Sequence, residues 1–376
     1  MLEHLGHEDA AREIFSAIKT VLASEDAPKI PPWRLRVDLM KQRAHHESVR
    51  HLNECTSPFR GIGPTMRIAI LDDYQGVALK MADWAPLHAR AEITVFSDHL
   101  ADEYALAERL APFDVLCVMR ERTALGRSLL ERLPKLRFIA STGPINAAID
   151  VKAAEERGIE IAHTGYDSAP TTEMTWALIL ASRRHLVEEV NAVRSGGWQH
   201  TLGGELAGRT LGLLGLGHIG GAVAKIGNAF GMRVIGWSQN LTRERAQEVG
   251  AEAVSKDALF AEADIVSLHT LLSRRTRGLV SADALRLMKR EAWLVNTSRG
   301  AIVNEAAVLD ALRHERIGGY AVDVFDIEPL PLDHPFRSLP NVLATPHLGY
   351  IGESLYRTFY GDSARNILDW LNRSSL

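Results

Sequence analysis

The chain has 376 residues, 46% hydrophobic and 24% charged, a globular composition that at roughly 100–200 residues per domain leaves room for about two domains. Its 43 Lys and Arg against 47 Asp and Glu give a formal charge of −4, so there is no basic field to hold a polyphosphate backbone, and nucleic acid is not an expected partner. Cys55 and Cys117 have neither metal-ligand nor C-x-x-C spacing, so no disulfide framework and no metal are expected, and a reducing, cytoplasmic setting fits.

Residues 1–65 read as a non-domain extension. An amphipathic helical pattern reaches about Leu22, but Glu3, His4, Glu8 and Asp9 break it where a signal peptide would need an apolar core. DAPKIPPW, a charged stretch and the breaker run SPFRGIGPT follow. The first helix resembles the C-terminal helix of isopropylmalate or tartrate dehydrogenases, whereas Met66-Arg67-Ile68-Ala69-Ile70-Leu71 begins like a first β-strand. Translation is therefore expected to start at Met66, with a native extension packing on a partner subunit as the alternative. No later stretch reaches the ~18 uncharged apolar residues that cross a bilayer, so no membrane association is expected.

From Met66 onward, β-branched apolar runs alternate with amphipathic stretches, a pattern of βαβ units and parallel sheets. The spacing predicts strands at RIAIL, DVLCVM, LRFIA and IEIA, then at TLGLLG, RVIGW, DIVSLH, AWLVN, GYAVDVF and NVLAT. Between the two groups, Thr172 to Val193 keeps apolar residues at helical spacing and predicts one long bridging helix; a second runs from about Glu353 to Leu371. The expected fold class is α/β, with two doubly wound, Rossmann-like parallel-sheet domains, a cleft between them and long connecting helices. Their expected bounds are 66–165, completed by 350–376, and 166–349.

The second group opens on a nucleotide-binding pattern. The apolar run Thr210–Leu214 enters Gly215-Leu216-Gly217-His218-Ile219-Gly220, and Ala222 to Phe230 reads as a helix. In such a G-x-G-x-x-G turn the first glycine makes the tight bend, the second lets backbone approach a pyrophosphate and the third lets helix and strand pack. The strand RVIGW then ends in Ser238-Gln239-Asn240 rather than in the acidic residue that holds a ribose, with Arg243 and Arg245 following. A 2′-phosphate would meet no carboxylate there, so the expected cofactor is NAD or NADP, with a slight lean to NADP.

Three polar residues close predicted strands in the same half: Arg299 in VNTSRG, Glu328 in DIEP and His347 in TPHLG. Ligands of open α/β sheets bind outside the carboxyl ends of strands, so the three can converge on one crevice. An anion anchor, a proton donor and a group that tunes the donor are what hydride transfer to a 2-keto acid requires.

The glycine motif, VNTSRG, the AVDVF strand before DIEP, and TPHLG together resemble the signature blocks of the D-isomer-specific 2-hydroxyacid dehydrogenases, from about Met66 to the final helix. The resemblance implies an active site of Arg299, Glu328 and His347. Arg299 would fork onto the substrate carboxylate and keto oxygen, His347 would exchange the carbonyl proton, and Glu328 would favour the protonated imidazole. It implies further that Asp323 reaches the nicotinamide end of the cofactor, and that His218, Ile219, Thr297, Ser298 and Gly349 are cofactor contacts. In the first domain Arg120 resembles an arginine near the substrate's distal end, and Gly143, Pro144 and Ile145 fall in the family's carboxylate-binding turn. That turn departs from the pattern, because Pro144 removes a backbone donor and Ala147-Ala148 replaces an Asp-Asn pair.

The resulting expectation is an NAD(P)-dependent enzyme, a homodimer by analogy, that interconverts a small 2-keto acid and its D-2-hydroxy acid. Glyoxylate, hydroxypyruvate, a larger analogue or 3-phosphoglycerate are the candidate substrates; a C-terminal regulatory domain like that of many phosphoglycerate dehydrogenases is not expected. Relatives acting on formate or phosphonate keep the same fold. The alternative from another class is an NAD(H)-sensing, corepressor-like interaction protein.

Overall fold

Parallel strands covered on both faces read as apolar runs, and their alternate side chains enter two separate cores. A computed structural model describes residues 66–374; the readings of residues 1–65 lie outside the described residues. In the first sheet, β1 (Met66–Ile70), β2 (Ala91–Val95), β3 (Val115–Val118), β4 (Phe138–Ser141) and β5 (Glu160–His163) pair in parallel in the order β2-β1-β3-β4-β5. Ile68, Ile70, Val115 and Cys117 face one core, while Ala69, Leu116, Val118 and Ile139 face the other. The closing helix Glu353–Ser374 seals the first of these cores with Phe359, Tyr360, Ile367 and Trp370, the last stacked 5.0 Å from Phe138.

The second sheet holds β6 (Thr210–Leu214), β7 (Arg233–Trp237), β8 (Glu252–Ala253), β9 (Ile265–Leu268), β10 (Trp293–Asn296), β11 (Gly319–Val322) and β12 (Val342–Ala344). Their order is β12-β11-β10-β9-β6-β7-β8, all parallel, which is the doubly wound arrangement of a dinucleotide-binding domain with one strand added. Leu211, Leu213, Ile265 and Val295 pack to one side, and Leu214, Val266, Leu294 and Tyr320 to the other. The winding reverses between β6 and β9, so a crevice opens at the carboxyl ends of those strands.

The helix expected over Thr172–Val193 is two helices, Ala169–Arg183 and Leu186–Arg194. His185 between them is left-handed, with φ 48°, and the Arg183 carbonyl accepts from Gly204 N at 2.8 Å rather than from the next helical turn. Apolar periodicity continues across the break and so conceals it. Strands β2 and β8 were also not expected.

Candidate functional site

The glycine turn separates what the chain needs for itself from what it leaves open. Gly215 has φ 104°, donates to the Trp237 carbonyl at 2.8 Å, and a Cβ there would lie 2.5 Å from the His269 carbonyl. A Cβ on Gly220 would collide with the Gly215 carbonyl, so the first and third glycines are demanded by packing. Gly217 caps the 12-residue helix His218–Ala229, and a Cβ on it would meet nothing within 4 Å. That exposed space at a helix N-terminus fits an anionic pyrophosphate. His218 is exposed, Ile219 is half-buried, and Ser238 and Gln239 follow β7 immediately beside the Gly215 turn. Arg243 is exposed, whereas Arg245 is ion-paired with Glu248.

A crevice of about 230 Å³ gathers most of the remaining candidates: Arg120 and Pro144 from the first sheet's loops, and Ile219, Thr297, Ser298, Arg299, His347 and Gly349 from the second. Glu328 and Asp323 bond to His347 and its loop but are not in the lining of this crevice, and two of the substrate candidates are not brought there either. Ile145 is 72% exposed, and Gly143 is buried with its amide donating to Thr164 Oγ1 at 2.7 Å. With Pro144 lacking an N–H, the turn expected to bind a carboxylate through its backbone has neither of these amides free for it. A larger cavity of about 720 Å³ also reaches Glu328 and His347, but its lining is mainly apolar and omits Arg299 and the glycine turn.

His347 is itself left-handed, with φ 54°, a conformation that costs a non-glycine residue free energy unless its surroundings hold it. Asp323 holds it. Its carboxylate, fully enclosed at the end of β11, accepts from Thr345 Oγ1 (2.6 Å), Leu348 N (2.8 Å) and Gly349 N (2.7 Å), clamping the loop on both sides of the histidine. Asp323 is expected to reach a cofactor; its carboxylate hydrogen-bonds the loop that carries His347. Burial pushes its carboxyl up against the opposing pull of these donors.

His347 Nδ1 lies 2.6 Å from Glu328 Oε2, while Glu328 Oε1 accepts from Phe325 N at 2.8 Å. Burial alone would raise the Glu328 carboxyl, yet its hydrogen bond to His347, the imidazole charge, the Phe325 amide and the Arg299 guanidinium hold it below the usual glutamate range. Arg299 is reached through a tight turn after β10. Buried Asn296 accepts from Ser298 N at 3.0 Å and donates to the Arg299 carbonyl at 3.0 Å, which fixes the direction in which Arg299 leaves the sheet. Thr297 and Ser298 are tied inward, Thr297 to Thr175 Oγ1 (2.8 Å) and Ser298 to the Thr270 carbonyl (2.6 Å).

Three residues of this site escaped the sequence reading. Asn296 and His269 are legible only as strand-end residues; burial lowers the His269 imidazole to about 4, and its Nε2 sits 2.9 Å from Ser267 Oγ. The third is Glu121, whose two carboxylate oxygens accept from Arg299 Nη2 at 2.9 and 2.8 Å. Among the described residues no cluster of His, Cys, Asp or Glu is placed to hold a metal ion, and no helix is long and apolar enough to cross a membrane.

A doubly wound sheet with a glycine turn at its switch point defines a dinucleotide-binding oxidoreductase fold. Residues 176–349 match the family model described as D-isomer specific 2-hydroxyacid dehydrogenase, NAD binding domain. The chain is 45% identical over 229 residues to a glyoxylate reductase of Aeropyrum pernix, covering 58% of this chain and 68% of that protein. It is 33% identical to a D-3-phosphoglycerate dehydrogenase of Methanocaldococcus jannaschii, covering 82% of this chain and 60% of that one. Among solved structures, a phosphoglycerate oxidoreductase of Vibrio cholerae superposes with TM-score 0.78 at 38% identity, over 82% of this chain and 99% of that one. The chain belongs to the D-isomer-specific 2-hydroxyacid dehydrogenase family, and with it to nicotinamide-dependent oxidoreduction of 2-hydroxy and 2-keto acids.

Proposed function

We propose that this protein reduces a small 2-keto acid to the D-2-hydroxy acid, reversibly, with His347 as general acid and base. The observation that carries the reading is the 2.6 Å contact of His347 Nδ1 with Glu328, in reach of the crevice that holds Arg299. A bound nicotinamide supplies or accepts the hydride. Gly217 and the start of the helix His218–Ala229 would hold its pyrophosphate, with His218, Ile219, Thr297, Ser298 and Gly349 along its path and Ser238 and Gln239 at the ribose.

Arg299 binds the substrate carboxylate and keto oxygen through its planar fork, which orients the carbonyl carbon. With Nδ1 turned to Glu328, the other ring nitrogen of His347 gives the proton to the carbonyl oxygen during reduction and takes it back during oxidation. Glu328, held ionised, faces Nδ1 and so orients the ring for that transfer. Asp323 acts at one remove by holding the His347 loop in its left-handed turn.

The missing carboxylate at Ser238 supports use of NADPH as well as NADH, with NADPH preferred. A homodimer is supported by the helix Leu186–Arg194, whose Leu186, Val187, Val190 and Val193 are 53, 49, 39 and 56% exposed. Consumption of NADH and NADPH by the purified full chain, measured with glyoxylate, hydroxypyruvate, pyruvate and larger 2-keto acids, tests the reading. Turnover of at least one acid is expected; no turnover of any, with cofactor still bound, would overturn it.

A further inference from the structure

We propose that Glu121 determines which substrates the crevice accepts, by rejecting those that carry a second negative charge beyond the 2-keto carboxylate. This inference rests on the reading of the site as a keto-acid reductase and narrows it. The chain turns at left-handed Arg120, with φ 50°, whose amide donates to Thr142 Oγ1 (2.8 Å) and whose carbonyl accepts from Asn146 Nδ2 (2.6 Å). That pinned turn directs Glu121 into the crevice, where its side chain is 24% exposed and closes both oxygens on Arg299 from the opposite sheet.

The neighbouring cations do not release Glu121 from that duty. Arg120 is held by the Thr142 carbonyl at 3.2 Å and lies 5.3 Å over the Tyr166 ring. Arg122 donates to the Asp72 carbonyl at 2.7 Å and lies 4.6 Å over the Tyr74 ring, bordering the other cavity. Arg120, Glu121 and Arg299 therefore leave one net positive charge in the crevice, whose lining does not include Glu328. One substrate carboxylate neutralises that charge. A distal phosphate or second carboxylate would place excess negative charge beside Glu121 in a half-enclosed space, where like-charge juxtaposition is costly. Monocarboxylic keto acids with neutral or hydrogen-bond-donating tails are the class that fits.

Hydroxypyruvate and 3-phosphohydroxypyruvate differ by one phosphoryl group and so form a matched pair of probes. Their kcat/KM values are to be compared for the wild type, Glu121→Gln and Glu121→Asp at low and high salt. The wild type is expected to favour the unphosphorylated acid by about tenfold or more, and Glu121→Gln to shrink that preference by about tenfold, while Glu121→Asp keeps it. Added salt should shrink the wild-type preference, a measurement that needs no variant to fold. Equal or better reduction of the phosphorylated acid by the wild type, or a ratio unchanged in an active Glu121→Gln, overturns the assignment of Glu121 alone. Failure of every protein to reduce any keto acid overturns the reductase reading and this inference with it.

Discussion

Glu328 meets His347 through one carboxylate oxygen, 2.6 Å from Nδ1, and is anchored through the other by the Phe325 amide at 2.8 Å. The carboxylate is thus fixed at both ends, and it stays ionised below the usual glutamate range because burial is outweighed by the imidazole, the amide and the Arg299 charge. Removing its charge while keeping its shape isolates the electrostatic part. In Glu328→Gln, keto-acid reduction is expected to fall about tenfold near neutral pH, because the imidazole loses the charged carboxylate that orients it. Steady-state kcat/KM checks this; a wild-type value in the variant would count against the pairing.

Asp323 is expected to matter through the His347 loop. Asn at this position would turn an NH2 group toward either the Gly349 amide or the donors on the other oxygen, a clash of donors in a fully buried place. Asp323→Asn should lose about 1–3 kcal/mol of stability and at least about tenfold in kcat. Denaturant unfolding and steady-state kinetics read the two effects, and wild-type kcat in the variant would refute the clamp.

Two glycines of one turn should fail in different ways. Gly220→Ala introduces a Cβ onto the Gly215 carbonyl and should destabilise the fold by about 1–3 kcal/mol. Gly217→Val projects into open space, so folding should change by no more than about 1 kcal/mol while NADH and NADPH binding is lost. Thermal unfolding beside cofactor fluorescence titration separates them; tight cofactor binding by Gly217→Val would place the pyrophosphate elsewhere.

Ser238→Asp restores a carboxylate beside the glycine turn. It should lower kcat/KM for NADPH relative to NADH by about tenfold or more, through repulsion of the 2′-phosphate. An unchanged ratio would show that the ribose lies away from β7.

The His269 imidazole, lowered by burial from 6.5 to about 4, gives a stability prediction with a definite sign. The unfolded chain takes up a proton as pH falls through 6.5, and the folded chain does so only near 4, so folding loses stability across that window. His269→Gln should lose less stability than the wild type between pH 7 and pH 5, as read by chemical denaturation.

Much of this architecture was legible because backbone and chemistry demand the same residues at the same spacing. The run into Gly215-Leu216-Gly217 could hardly be anything but a strand entering a tight turn, and Arg299, Glu328 and His347 all follow strands. What escaped had no such signal. β2 is a half-exposed edge strand without a continuous apolar run, and β8 is two residues long. The helix break at His185 is set by a tertiary hydrogen bond from Gly204. Glu121 sits between two arginines and reads as an ordinary surface charge until the second sheet brings Arg299 against it, 178 residues away in sequence.

The most direct test of the account is single-turnover oxidation of bound NADPH or NADH by the best keto-acid substrate in His347→Ala. Cofactor affinity is expected to stay near the wild-type value while the rate falls by about 10²–10⁴-fold. A rate within a few-fold of wild type would contradict His347 as the proton donor.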